Sequence, residues 1–380
     1  MRRIAVFTAT RAEYGLLRSV IRGLYDSENC EMQLIVSGTH LSGAHGNTLD
    51  EITADGFTPA ARIPLPLERD SRAGICAAMG KAMASYGETL EQLQPDIVVV
   101  LGDRWETFAM AAAAHVSGIV VAHIHGGEKT SGAVDDAFRH SITKMAQLHF
   151  TSCEKHRSRV IQLGEAPARV WNVGALGVEA IRRLPLMGEV EIRKELTLDA
   201  GVPYFLCTFH PVTLEKDAPQ KQLEELFAAF EIFPDSAVIF TGANADSGGR
   251  LINDAIEKYA AAHSRHRYFA SLGQLRYLSA VKYAACVVGN SSSGILEVPS
   301  LGVPVVDIGD RQKGRERSQS VHWCKPERST IAQAIRSATN LGGAGDMANP
   351  YEKAGTTDAI KKVLLGQELA GLLKKDFFDL

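Results

Sequence analysis

Residues 123–140, HIHGGEKTSGAVDDAFRH, hold the densest cluster of ionisable side chains in the chain. Strand alternation predicts His123 and His125 on one face, and Gly126-Gly127 lets the backbone turn sharply before Glu128. On the helix that should follow, Asp135 and Arg139 are i,i+4 neighbours, as are Asp136 and His140. Two ordinary helix pairs and a buried histidine would be the bland account of this run. Two pairs, two strand histidines and a Gly-Gly turn within 18 residues make that account less comfortable. A metal held by His123, His125, Asp103 and Asp135 is conceivable, but no diagnostic ligand spacing supports it, so the expectation is no metal.

Other chemistry-bearing residues fall at the ends of apolar runs. Asp103 follows Gly102 in LGDRWE, where it can cap a helix or act as a catalytic carboxylate. His210 ends CTFH, and Pro211 holds it extended; it can be a satisfied polar group, a phosphate contact or a proton carrier. Arg11, in TATRAEYG, stands where a strand turns into a helix and can bind a phosphate or simply pair with Glu13. No GxGxxG occurs there, which counts against NAD or FAD, and no cofactor is expected. Ser291 and Ser292 precede a short helix expected to begin near Gly294, with Glu297 about a turn in. Their hydroxyls and free N–H groups suit an anion, and Glu297 a ribose diol. Arg311, Lys313 and Arg315 add positive charge after the next strand.

The elements that must position these residues alternate β-branched runs with amphipathic stretches. Strands are predicted at 4–9, 32–38, 96–102, 119–126, 148–152 and 169–174, then at 204–210, 237–242, 267–270, 285–290 and 303–309. Helices are predicted at 12–25, 71–93, 133–146, 219–232, 248–262 and 274–284. Near-continuous apolar runs suit strands covered on both faces, hence an α/β protein with two doubly wound, Rossmann-like parallel-sheet domains. The polar stretch 184–203 places the boundary, giving domains 1–183 and 184–365 that would face each other across a cleft.

Composition sets the remaining limits. The 380 residues carry a net charge of -3, which favours neither nucleic acid nor an anionic membrane as a partner. No apolar run is long enough for a membrane helix, and the apolar stretch at the N-terminus is too short for a signal peptide. The six cysteines form no CxxC pair; Cys207 and Cys286 read as buried hydrophobes, and a cytoplasmic location is expected.

Taken in order, TATRAEYG, LGDRWE, HIHGGEKTSGAVDDAFRHSITK, FHPVT, TGANADSGGR and GNSSSGILEVPSLGVPVVDIGDRQKGR run through almost the whole chain. In that order and spacing the chain resembles the UDP-N-acetylglucosamine 2-epimerase family. Within it, the resemblance is to the hydrolysing branch that makes N-acetylmannosamine or related sugars for sialic-acid-type biosynthesis. The resemblance implies the arrangement of B-type glycosyltransferases, with the final segment 366–380 crossing back to the first domain. It implies catalytic roles for Asp103, Asp135, Arg139 and His210. It implies UDP-sugar binding by Arg11, Gly242, Asn244, Asn290, Ser291, Ser292, Glu297 and Arg311, and a homo-oligomer (dimer or tetramer). Many relatives have a glutamate at the position of His125, so either His125 or nearby Glu128 takes that acid/base role, or the substrate differs. The substrate is UDP-N-acetylglucosamine or a UDP-2,4-diacetamido-2,4,6-trideoxyglucose. A non-hydrolysing 2-epimerase, a B-type glycosyltransferase and a non-catalytic nucleotide-sugar binding protein are the alternatives.

Overall fold

A computed structural model describes all residues except 43–47, 69–70, 130–133, 211–217, 243–248 and 341–347. The chain divides into two compact units, Met1–Ala180 with Tyr351–Leu380, and Ile181–Pro350. Both are doubly wound α/β units, each built on its own parallel sheet.

The first unit holds strands β1 (Arg2–Thr8), β2 (Cys30–Ser37), β3 (Ala61–Ile63), β4 (Ile97–Leu101), β5 (Val120–Ile124), β6 (Leu148–Thr151) and β7 (Val170–Asn172). Its helices are α1 (Arg11–Tyr25), α2 (Leu49–Ala54), α3 (Arg72–Leu93), α4 (Trp105–Val116), α5 (Asp135–Met145) and α6 (Glu154–Gln162), and α7 (Leu176–Arg183) spans the division at Ala180. The strand order is β3-β2-β1-β4-β5-β6-β7. Period-two alternation feeds both faces: Ile4 and Val6 enter one core, Ala5 and Phe7 the other. All five residues of β4, IVVVL, are buried, as a central strand covered on both sides requires. The order reverses direction between β1 and β4, and such sheets bind ligands beyond the strand C-termini at that point.

The second unit holds helix α8 (Glu189–Glu195), strands β8 (Tyr204–Thr208), β9 (Ala237–Thr241), β10 (Arg267–Phe269), β11 (Cys286–Gly289), β12 (Val305–Ile308) and β13 (Val321–Cys324). Its other helices are α9 (Ala218–Phe230), α10 (Gly249–Ala261), α11 (Gly273–Lys282), α12 (Ser292–Leu296) and α13 (Arg328–Asn340). The order β10-β9-β8-β11-β12-β13 reverses between β8 and β11. Cys207 and Cys286 lie in its core as free thiols, pushed up by burial.

The two strands absent from the sequence prediction, β3 (ARI) and β13 (VHWC), are short edge strands. Partial burial gives them no apolar run to detect. Tyr351 starts the return to the first unit, so helix α14 (Thr356–Gly366) belongs there, whereas the sequence pattern predicts 356–365 in the second domain. The reason is packing, since Ile360 and Leu364 complete the core around α1. Beyond it, Lys375 reaches the buried Glu165 at 2.8 Å and the Phe378 N–H donates to the Gly164 carbonyl. Burial opposes the Glu165 charge, but bonds from His149, Lys144 and Lys375 outweigh it and hold the carboxyl down at about 2.

Candidate functional site

In the first unit the site gathers around Arg139, a buried guanidinium on α5. It pairs with the Asp103 carboxylate, donates to the His125 carbonyl at 3.0 Å, and lies 3.6 Å from Glu128 Oε2. Arg139 thus ties together the loops that follow β4 and β5, which neighbour each other in the sheet. Asp103 does not cap α4; the helix begins behind Arg104, and Asp103 turns to Arg139 instead. Burial pushes the Asp103 carboxyl up against the pull of Arg139, and the charges of Asp135 and Glu128 add to the rise.

The loop after β5 corrects one sequence expectation. His123 and His125 do not continue one alternating strand, because β5 ends at Ile124 and His125 adopts a left-handed φ of 65°. A non-glycine residue rarely takes that conformation, and strain of this kind collects at functional sites. His123 is a strut: its Nε2 is 2.8 Å from the Gly102 carbonyl and its Nδ1 3.2 Å from Thr143 Oγ1. Burial pushes it down to about 3, so it stays neutral. With both nitrogens engaged it is not available to a metal. Among the described residues no group of three or more His, Cys, Asp or Glu is arranged to hold one. His125 Nδ1 instead faces Glu128 Oε1 at 3.6 Å. Asp136 and His140 form the expected i,i+4 pair at 3.6 Å.

Arg11 opens α1, exposed, with its Nε 3.1 Å from Glu51. Glu13, its expected alternative partner, turns inward. Its carboxylate accepts from the Ala9 and Thr10 N–H groups and from Thr107 Oγ1, closing a capping box with Thr10. Burial pushes Glu13 up to about 7.

In the second unit Asn290, directly after β11, clamps the end of β8. Its Oδ1 accepts from the His210 N–H at 2.7 Å and its Nδ2 donates to the His210 carbonyl at 2.9 Å. The Asn290 carbonyl accepts from Arg311 at 3.1 Å and from the buried Gln312 at 2.9 Å. Gly289 (φ 141°) permits this crossing, because a Cβ there would lie 2.0 Å from the Thr208 carbonyl oxygen. Helix α12 starts at Ser292 rather than Gly294, with Ser291 as its N-cap. It has five residues, so Glu297 lies at its C-terminal end, where it accepts from Ser293 Oγ at 2.5 Å. Burial pushes the Glu297 carboxyl up. Gly242 follows β9, where a side chain would meet the Ala270 carbonyl. Asn244 lies outside the described residues.

The first-unit geometry therefore brings Asp103, His125, Glu128 and Arg139 together, with Asp135 opening the helix that carries Arg139. The second brings His210, Asn290 and Arg311 together, with Ser291 and Glu297 on the adjoining helix. Sequence reasoning missed Ser152, whose hydroxyl donates to Glu128 at 2.8 Å, and His156, 2.9 Å from that hydroxyl. No motif marks them, since neither is near Glu128 in sequence. It offered Glu13 only as a partner for Arg11, although Thr10-x-x-Glu13 is a capping-box pattern.

Two doubly wound units with acids, bases and cations at their strand ends define an α/β protein of the Rossmann-like class. The sequence profile of UDP-N-acetylglucosamine 2-epimerase matches residues 22–365, and the chain belongs to that family. A hydrolysing GDP/UDP-N,N'-diacetylbacillosamine 2-epimerase of Campylobacter jejuni is 39% identical over 84% of this chain and 83% of its own length. Polysialic acid biosynthesis protein P7 of Escherichia coli is 37% identical over 100% of this chain and 97% of its own. The crystal structure of UDP-GlcNAc 2-epimerase from Neisseria meningitidis bound to UDP-GlcNAc superposes with a TM-score of 0.80 at 18% identity, covering 96% and 100% of the two chains. That likeness shows the shared fold.

Proposed function

We propose that this chain is a hydrolysing 2-epimerase, converting a UDP-2-acetamido sugar and water to UDP and the free manno-configured sugar. The observation that carries the reading is the Arg139 cluster. Two carboxylates and a histidine are held around one buried guanidinium, more proton-handling groups than simple glycosyl transfer calls for. The relatives named as hydrolysing 2-epimerases support it.

In this reading a base removes the C2 proton while the nucleotide diphosphate leaves C1, giving a 2-acetamidoglycal. The C2 proton is weakly acidic, so departure of the diphosphate must carry the step. Arg11, His210, Arg311 and the N–H groups around Ser291 and Ser292 stabilise the charge that develops on it. Glu297 holds the ribose diol, and Gly242 and Asn290 contact the nucleotide. Asp103, whose burial raises its affinity for a proton, is the base, with Asp135 beside it. Water then adds at C1, and the His125–Glu128 pair returns a proton to C2 from the other face. Arg139 holds both sides of this arrangement in register.

Incubation in deuterated water with UDP-N-acetylglucosamine, and separately with a UDP-2,4-diacetamido-2,4,6-trideoxyglucose, tests the reaction by proton NMR. UDP release with deuterium at C2 of a manno sugar is expected from at least one. Absence of both signals with both substrates refutes it; tight binding without turnover would make the protein a nucleotide-sugar sensor. Asp103→Asn and His210→Ala should each abolish turnover in a folded protein.

We also infer a homo-oligomer working in the cytoplasm. Helix α3 turns exposed Ile75 and Met83 outward beside Gly80, which has open space over it, a surface suited to a second copy. The free core thiols fit a reducing compartment. Light scattering should find a multimer that Met83→Glu splits.

A further inference from the structure

Helix α6 grips the loop after β5 at three places. Gly127 (φ 79°) lies against the helix, so that a Cβ would stand 2.4 Å from the His156 carbonyl oxygen. The Arg159 guanidinium bonds the Gly127 carbonyl. Ser152, just before the helix, donates its hydroxyl to Glu128 Oε1 at 2.8 Å, and its oxygen lies 2.9 Å from His156 Nδ1.

Hydrogen-bond stoichiometry sets a direction on this chain. The Glu128 carboxylate only accepts, so the single Ser152 hydroxyl proton goes to it. Ser152 Oγ is left to accept from His156 Nδ1, which must therefore carry that ring's proton. His156 is buried and packed against the Tyr351 ring at 5.9 Å; burial pushes it down to about 4, so the ring is neutral with one N–H to give. Beyond Glu128 stands His125, its Nδ1 facing the same oxygen at 3.6 Å. A carboxylate facing Nδ1 biases the tautomer and orientation of the ring and leaves Nε2 as the nitrogen for proton transfer, which is how a positioned acid or base is built.

We propose that Ser152 and His156 are positioning residues of this site, forming a one-way hydrogen-bond chain from His156 through Ser152 to Glu128 that aims the carboxylate at His125 and makes His125 the proton-transferring member of the pair. The proposal rests on the 2-epimerase reading above, and it decides between the two candidates that the sequence left open. Glu128 orients; His125 gives the proton to C2.

Four variants of the full chain test it. Ser152→Ala should lower kcat about 10-fold to 100-fold with KM within threefold, because misplacing a catalytic group slows the chemistry more than binding. Ser152→Thr, which keeps the hydroxyl, should restore most of kcat. His156→Asn, which keeps an N–H near the Nδ1 position, should outperform His156→Leu. A purely structural role would lower thermal stability without this split and without rescue. Equal loss in the alanine and threonine variants, or wild-type kcat in Ser152→Ala, would overturn the relay while leaving the reaction standing. Failure of the wild type to release UDP would instead sink the reaction and this assignment with it. Independently of activity, 15N spectra of histidine-labelled protein should show His156 as the neutral Nδ1–H tautomer at pH 7, and an Nε2–H tautomer would refute the direction of the chain.

Discussion

Replacing Asn290 with alanine removes the clamp between the ends of β8 and β11, and its cost can be worked from two bonds. The Asn290 side chain satisfies both the N–H and the carbonyl of His210, at 2.7 and 2.9 Å, with Asn290 and His210 both buried. Alanine leaves both backbone groups without these partners. At about 1–3 kcal/mol for each orphaned buried group, less whatever entering water recovers, the loss is about 2–4 kcal/mol. Urea unfolding followed by fluorescence of Trp323, in a background where Trp105 and Trp171 are phenylalanine, reports on the second unit alone. The midpoint should fall without a change in slope. Turnover should fall as well, because His210 loses its fixed place. If Asn290 acts on catalysis only by placing His210, then Asn290→Ala should cost little further kcat in a His210→Ala background. A stability loss below about 1 kcal/mol, or fully additive losses of kcat, would refute the reasoning.

Other consequences follow from single residues. Gly127→Ala must add a Cβ 2.4 Å from the His156 carbonyl oxygen, whereas Gly118→Ala, also at positive φ, meets open space. Gly118→Ala should cost about 1 kcal/mol, the left-handed penalty alone, and Gly127→Ala clearly more, as melting temperatures would show. Glu13 is raised from 4.5 to about 7, so the folded protein holds a proton that the unfolded chain has already released between those values. Its contribution is complete below pH 4.5 and is lost as pH rises through about 7. Glu13→Gln should therefore cost less stability at pH 8 than at pH 5, and an equal or larger loss at pH 8 would contradict the raised value. Arg139→Lys keeps the charge but loses the planar fork that reaches Asp103, His125 and Glu128. UDP release should fall about 100-fold or more, with the melting temperature nearly kept.

The fold is largely legible in the sequence, because β4, β8 and β11 are near-continuous apolar runs that suit a sheet covered on both faces. Strands β3 and β13 were not legible, since an edge strand needs no such run. The assignment of α14 was equally hidden: amphipathicity says that Ile360 and Leu364 must be buried, not which core receives them.

For the site, residue types at strand ends and on the helix after β5 drew attention to Asp103, His125, Glu128, Arg139 and His210, while Asn290 entered only through the family resemblance. What the sequence could determine was local: which residues end a strand, which carry charge, and which glycines must turn. Tertiary structure alone decided the pairings. Arg139 reaches Asp103 rather than only its own helix, His123 becomes a neutral strut while His125 turns away at positive φ, and Ser152 with His156 lies behind Glu128. Those contacts join neighbouring strand ends that are far apart along the chain. Periodicity carries no information about them, because it records which face a residue occupies and not which side chain it meets there.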